Sequence, residues 1–218
     1  NLFDAVRGVT KNIETNTTSA EHIQANGLTS FDNNGFTLGN FNAGNRSAET
    51  YVSWNWKCET GVSGTTTGGS SRSYSGRVNT TAGISIIKYA GNSSAGHTIP
   101  HHLGVAPKMI MIKNLGDVGN WIVYHASTTD FRYYLKLNDT SATTLDSGMY
   151  DNVPTSSGFL VGSNVDVNDD NQQYIAYCFA DVTGYSKFGS FVGNGNDEGS
   201  FIYTGFKPAW IMYRNTSG

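Results

Sequence analysis

The sequence predicts an all-β protein: an antiparallel β-sandwich of jelly-roll or concanavalin-like type, with little or no helix, built from a tandem repeat of about 100 residues. Three observations point there. Charged residues make up only 14% of the 218-residue chain, about half the usual share. Tyr and Phe number 12 and 11, beside 26 Gly, so ring-bearing side chains suited to a pleated, half-buried surface alternate with turn formers. Several stretches alternate apolar and polar residues with period two, and none carries a capped helical period.

A chain of this length buries about 70% of its unfolded surface, so a core without staples is expected. The aromatic content is too high for a disordered chain. The formal net charge is −3 with no basic patch, which speaks against nucleic acid as a partner. No apolar run approaches the roughly 18 residues that cross a bilayer, so membrane insertion is not expected. Asn1-Leu2-Phe3-Asp4 is not a signal peptide, although a processed N-terminus reads the same way. Cys58 and Cys178 lack C-x-x-C spacing and fall at non-equivalent places in the repeat, so both are expected to be free thiols.

The repeat rests on matched stretches. Asn34 to Asn40 (NGFTLGN) resembles Ser157 to Ser163 (SGFLVGS), and Tyr51 to Trp56 (YVSWNW) resembles Tyr174 to Phe179 (YIAYCF), both at an offset of 123 residues. Asn16 to Ala20 resembles Asn138 to Ala142 at 122. Gly104-Val105-Ala106-Pro107 and the following Lys108 to Lys113 resemble Gly205-Phe206-Lys207-Pro208 and Ala209 to Arg214 at 101, and Tyr89 to Asn92 resembles Phe191 to Asn194 at 102. The two offsets differ by about 21 residues, which locates an insertion at Cys58 to Asn79, a stretch whose Gly/Ser/Thr content predicts a linker or exposed loop.

The expected organisation is therefore a second half-module over 1–57, a linker over 58–81, a complete module over 82–183 and a first part-module over 184–218. Residues 184–218 followed by 1–57 read as one whole module in permuted order. These pieces are expected to pack together within one chain, or, as the alternative, between neighbouring chains by strand addition.

Within this frame Tyr51–Lys57 alternates with Val52, Trp54 and Trp56 on one face and predicts a strand. Ile84–Tyr89, Trp121–His125 and Tyr133–Leu137 are also strand-like, and Ser19–Gln24 is at most one helical turn. Met109-Ile110-Met111-Ile112 is apolar on both faces and predicts a central, doubly covered strand, with Pro107 tolerated just before it. Trp54, Trp56, Trp210 and Ile110 are expected in the core, and Thr66 and Gly69 are expected to tolerate substitution.

Several side-chain groups invite a chemical reading. His97, His101 and His102 cluster in sequence, but a metal needs three or four converging ligands, and adjacent strand residues face opposite ways. Asp166, Asn168 and Asp170 imitate the start of a calcium loop, although Asn171 stands where Gly is needed and no Glu closes it; weak calcium binding at the Asp166–Asp170 turn is left open. No G-x-S-x-G elbow exists, and His125 aligns with Asp4 in the other copy. Asp32, Asp117, Asp130, Asp169 and Asp170 lie in turns with no glycosidase-like pair. No catalytic, cofactor-binding or metal residue is assigned, no cofactor is expected, and the ligand-binding residues are unknown.

The succession G-[IF]-S-I-x-x-Y-x-G at Gly83 to Gly91, L-G-x-A-P-K-M-I-x-I-K at Leu103 to Lys113, W-x-V-Y-H at Trp121 to His125, L-x-L-N-x-T-S-A at Leu135 to Ala142, G-F-x-[LV]-G at Gly158 to Gly162 and the run from Tyr174 to Met212 resembles a repeat of tail-fibre-like and other virion surface proteins of marine tailed bacteriophages. The half-module from Leu2 to Trp56 resembles it more loosely. The resemblance implies a non-enzymatic structural or adhesive part at the virion surface, outside the cell. Its expected partners are copies of itself, as a trimer or filament, other virion proteins and host-surface glycan. The alternatives are a secreted carbohydrate-binding lectin-like domain and a capsid decoration protein.

Overall fold

The computed structural model describes residues 1–217. In chain order its elements are β1 (Lys11–Asn12), β2 (His22–Ile23), β3 (Leu28–Asp32), β4 (Gly35–Leu38), α1 (Asn42–Asn45), β5 (Thr60–Thr65), β6 (Ser73–Asn79), β7 (Ile84–Ala90), β8 (His97–Pro100), β9 (Met109–Asn114), β10 (Ile122–His125), β11 (Tyr133–Lys136), β12 (Thr144–Leu145), β13 (Gly158–Val161), α2 (Val165–Asn168) and β14 (Gln173–Phe179). Eight strands form one antiparallel sheet in the order β12-β11-β10-β9-β14-β7-β6-β5, and three two-stranded sheets, β1-β2, β3-β4 and β8-β13, complete the set. The protein is all-β and sandwich-like.

The central strands are buried on both faces because alternate residues feed two cores. From β14, Tyr174, Ala176 and Cys178 point into the first core, beside Ile87 and Tyr89 of β7 and Ile110 and Ile112 of β9. The β8-β13 strand pair roofs this core with Ile99, Phe159 and Val161, helped by Met149, Tyr150 and Val167. Ile175 and Tyr177 point the other way, into a second core with Ile86, Leu115, Trp121 and Ile13; Leu2, Val6 and Met111 pack against it. The doubly covered strand expected at Met109–Ile112 is thus β9, set between β10 and β14.

The N-terminal residues form the lid of the second core. Trp121 Nε1 donates to the Glu14 carbonyl at 2.8 Å, Gly119 N donates to the Thr18 carbonyl and Glu21 N to the Leu115 carbonyl. A buried ionic knot locks this lid: the Asp4 carboxylate pairs with Arg7 and accepts the Tyr177 hydroxyl at 2.6 Å, and Arg7 also donates to Glu21 at 3.2 Å. Sequence alone does not show this knot, because nothing local marks an ion pair whose third member lies 173 residues away.

The repeat is visible in strand register. The β1-β2 pairs Lys11↔Ile23 and Asn12↔His22 reproduce the β11-β12 pairs Tyr133↔Leu145 and Tyr134↔Thr144 at an offset of 122. With a one-residue shift (offsets of 121 and 122) the Leu2↔Ile13 bridge reproduces Val123↔Leu135, and α1 stands where α2 stands, 123 residues earlier. The second glycine of the G-F-x-[LV]-G motif has the same work in both copies. A Cβ on Gly39 would lie 2.6 Å from the Asn26 carbonyl oxygen, and one on Gly162 would lie 2.3 Å from that of Gly148, so backbone passes too close for any side chain.

Residues 58–81, expected as a linker or loop, instead carry the β5-β6 hairpin at the edge of the large sheet. It is the insertion that separates the two offsets. Composition misled because a short-side-chain edge strand and a linker are both rich in Gly, Ser and Thr; the alternation of buried Tyr74, Gly76 and Val78 was the signal available. Thr66 in its turn is fully buried, and its hydroxyl accepts from Arg72 N at 3.0 Å while donating to His97 Nε2 at 2.7 Å. Gly69 has φ +86° and sits where a Cβ would lie 2.6 Å from Ser94. The tolerance expected of both positions is therefore corrected. Thr66→Ala should lose about 1–3 kcal/mol through the unsatisfied partners, read as a lower urea midpoint. An unchanged midpoint would show that water replaces the hydroxyl.

Three tryptophan positions also need correction. Trp54, Trp56 and Trp210, expected in the core, are 61%, 46% and 54% exposed, whereas Ile110 is fully buried as expected. Cys58 and Cys178 are free thiols, the first half-buried and the second wholly inside the first core.

Candidate assembly surface

The polar residues singled out in the sequence are consumed by the fold. Asn168, fully buried, donates from Nδ2 to the Ser94 and Gly162 carbonyls at 2.9 and 2.7 Å, so its Oδ1 is an acceptor. That oxygen receives Asn92 N at 2.9 Å and faces His97 Nδ1 at 2.8 Å, so His97 carries its hydrogen on Nδ1 and takes the Thr66 hydroxyl on Nε2. His101 accepts Leu103 N on Nδ1 at 3.1 Å and donates from Nε2 to the Thr155 carbonyl at 3.0 Å. His102 faces the Tyr74 hydroxyl at 2.8 Å. The three histidines thus hold three different loops and do not converge. Among the described residues no three His, Cys, Asp or Glu side chains gather to hold a metal ion.

The imitation calcium loop is also taken apart. Asp166 and Asn168 lie in α2, and Asp170 pairs with Arg72 across to the β5-β6 hairpin. Burial raises the Asp166 pKa, opposed by Lys113, whose own pKa burial lowers to about 8 against the pull of Asp166 and Asp117. Lys113 is fully buried and donates to the Asn114 and Asp117 carbonyls, so its ammonium is a structural fastener beyond the reach of solutes. His125, half-buried, accepts Ser127 N, and Asp130 is clamped by its neighbour Arg132.

These buried imidazoles imply a pH response. Burial lowers the pKa of His97, His101 and His125 below the ordinary value, so the folded chain binds fewer protons than the unfolded chain once pH falls below about 6.5. Stability is full above that pH and drains as pH falls through the window beneath it. The urea midpoint should therefore drop between pH 7 and pH 5, and the drop should shrink in a His97→Gln, His101→Gln variant. A flat profile in the parent chain would contradict the neutral assignment.

Two segments expose many large apolar side chains. Val52, Trp54 and Trp56 in one segment, and Phe191, Val192, Phe201, Tyr203, Trp210, Ile211, Met212 and Tyr213 in another, are all exposed. Runs of large apolar side chains left in water are a feature of interaction surfaces. The segments are not arbitrary. By the repeat, residues 186–192 copy β7, 50–56 copy β14 and 210–215 copy β9, the three strands at the middle of the large sheet. None of the three copies forms a strand here. Among the described residues no strand pairing joins 184–217 to 1–57. The C-terminal segment instead docks on the β11-β12 edge, where Arg214 donates to the Lys136 and Ser141 carbonyls and Thr143 N donates to the Thr216 carbonyl at 3.1 Å. Aromatic contacts hold its folds: Trp56 and Phe188 both rest on Phe179, at 6.2 and 6.1 Å between ring centroids, and Phe191 meets Tyr213 at 6.1 Å.

Fold and surface together define an all-β, sandwich-like repeat protein whose distinctive surface is unpaired, aromatic strand sequence. The chain belongs to the family described as a domain of unknown function (DUF7483), whose model matches residues 1–218. It matches no curated protein and no solved structure.

Proposed function

We propose that this chain is a non-enzymatic structural protein of the bacteriophage virion surface, a tail fibre or fibre-like appendage, that assembles with copies of itself and other virion proteins and contacts glycan on the host surface. The observation that carries the reading is the exposure of three aromatic segments whose counterparts are the buried centre of the complete module. A chain that exposes the sequence of its own core strands is suited to association, because the same residues bury readily once paired. Further support comes from the resemblance of the Gly83–Met212 motifs to virion surface repeats, and from polar groups that serve packing, with His97 and His101 bonded through both ring nitrogens. No cofactor enters this reading.

The test is oligomeric state and adhesion measured together. Light scattering should show assemblies that persist at micromolar concentration, and these should resist SDS or mild heating. Labelled protein should bind host cells or a glycan array, and binding should weaken when assemblies are dissociated. A chain that stays monomeric and still binds a glycan would instead support a secreted lectin-like domain.

A further inference from the structure

We propose that residues 50–56 of one copy insert as the central strand between residues 186–192 and 210–215 of a second copy, rebuilding between chains the β7-β14-β9 sheet. This rests on the self-association reading above and adds its partner and its register.

The complete module supplies the register. In it Ala176 of β14 pairs with Ile87 of β7 on one side and Ile112 of β9 on the other, and Cys178 pairs with Ser85 and Ile110. Carried across by the repeat offsets, Ser53 stands between Gly189 and Tyr213, and Asn55 between Lys187 and Ile211. Trp54 then falls opposite half-buried Phe188 and exposed Met212, so the exposed ring of one segment covers apolar side chains of the other. The inserted segment, Thr50 to Trp56, has no charge, and it meets two cations, Lys187 and Arg214, without repulsion.

The C-terminal segment brings its two receiving walls into contact through one ring pair. Tyr89 and Ile112, the counterparts of Phe191 and Tyr213, lie on either side of β14 in the complete module. Here Phe191 and Tyr213 touch each other directly, as they would if the strand between them were withdrawn. Strands repeat about every 4.8 Å, so admitting one asks the two rings to part by a few ångströms.

Within one chain Trp56 of the donor and Phe188 of one receiving wall share Phe179, but the other wall is tied elsewhere, which favours a donor from another copy. Trp56 is held against Phe179 at the end of β14, while Arg214 and Thr216 are bonded to the β11-β12 edge, with β9 and β10 between. Phe179 and Lys136 stand three strand spacings apart, roughly 15 Å.

Directed disulfides test this. Two single variants are made in a Cys58→Ser background, one carrying Ser53→Cys and the other Tyr213→Cys with a size tag; Cys178 is buried. Both sites are exposed, so folding is not at stake. Their counterparts Ala176 and Ile112 are directly opposed, which puts the Cα atoms at about 5 Å, within disulfide reach. On mild oxidation the mixture should give a disulfide-linked heterodimer. Ser53→Cys mixed with Ile211→Cys, two residues out of register, should link about tenfold more slowly. Equal rates for the two pairs would overturn the register. A double variant, Ser53→Cys with Tyr213→Cys, that closes within one chain at high dilution and yields no dimer would overturn exchange between copies. Assemblies seen by light scattering without a disulfide between positions 53 and 213 would sink the strand insertion and leave self-association standing. A monomer that never links would sink both.

Discussion

An Asp4→Ala variant is expected to lose about 3–5 kcal/mol of stability, because it strips the partner from a cation that cannot be reached by water. The Asp4 and Arg7 side chains are 3% and 1% exposed. Besides pairing with Arg7, the Asp4 carboxylate accepts Val6 N and Arg7 N, both at 2.9 Å, and the Tyr177 hydroxyl. Removing it leaves Arg7 with Glu21 and with the Leu2 and Lys11 carbonyls, which do not neutralise it as closely. Tyr177→Phe removes only one hydrogen bond to a charge and should cost about 1.5–3 kcal/mol. Guanidinium unfolding gives both values. The double variant should cost less than the sum, since the two side chains share one interaction. Strict additivity would mean that the bond between them contributes nothing. Amide exchange supplies a spatial check: opening should concentrate in residues 1–23 and along the second core.

Trp121→Ala is the second large effect, again about 3–5 kcal/mol. Trp121 is fully buried, leans on Tyr177 at 6.1 Å between ring centroids, and donates its indole N–H to Glu14. The cavity left behind and the orphaned Glu14 carbonyl act on the same lid. The informative control is Trp210→Ala. In the unassembled chain Trp210 is about half exposed and its loss should shift stability by no more than about 0.5 kcal/mol. The two residue types are the same and the contrast is due to burial alone. If Trp210→Ala unfolds the dilute chain as Trp121→Ala does, the exposed arrangement of residues 191–213 is wrong. In assembled protein the Trp210 variant should instead weaken association.

Much of the architecture is legible in the sequence. Ile84–Tyr89, Met109–Ile112, Trp121–His125 and Tyr133–Leu137 read as strands, and they are β7, β9, β10 and β11. The repeat was legible too, since the same backbone approach at Gly39 and Gly162 demands the same residue twice. The one-turn helices α1 and α2 were not, because four residues are too few to express a 3.6-residue period.

The misreadings share one cause. Tyr51–Trp56 has the alternation of a strand and remains unpaired, while Thr60–Thr65 has the composition of a linker and is paired. Side-chain alternation states which faces a segment can bury; whether it becomes a strand depends on a neighbour that supplies backbone hydrogen bonds from far along the chain. Fold class, the repeat with its offsets, and the segments able to pair are all written in local sequence. Tertiary structure alone decided which of them do pair, where Asp4, Arg7 and Tyr177 meet, and that His97, His101 and Asn168 are spent on holding loops. The deciding contacts join residues far apart in the chain, 173 positions for Asp4 and Tyr177 and 71 for His97 and Asn168, and no local pattern encodes a distance in space.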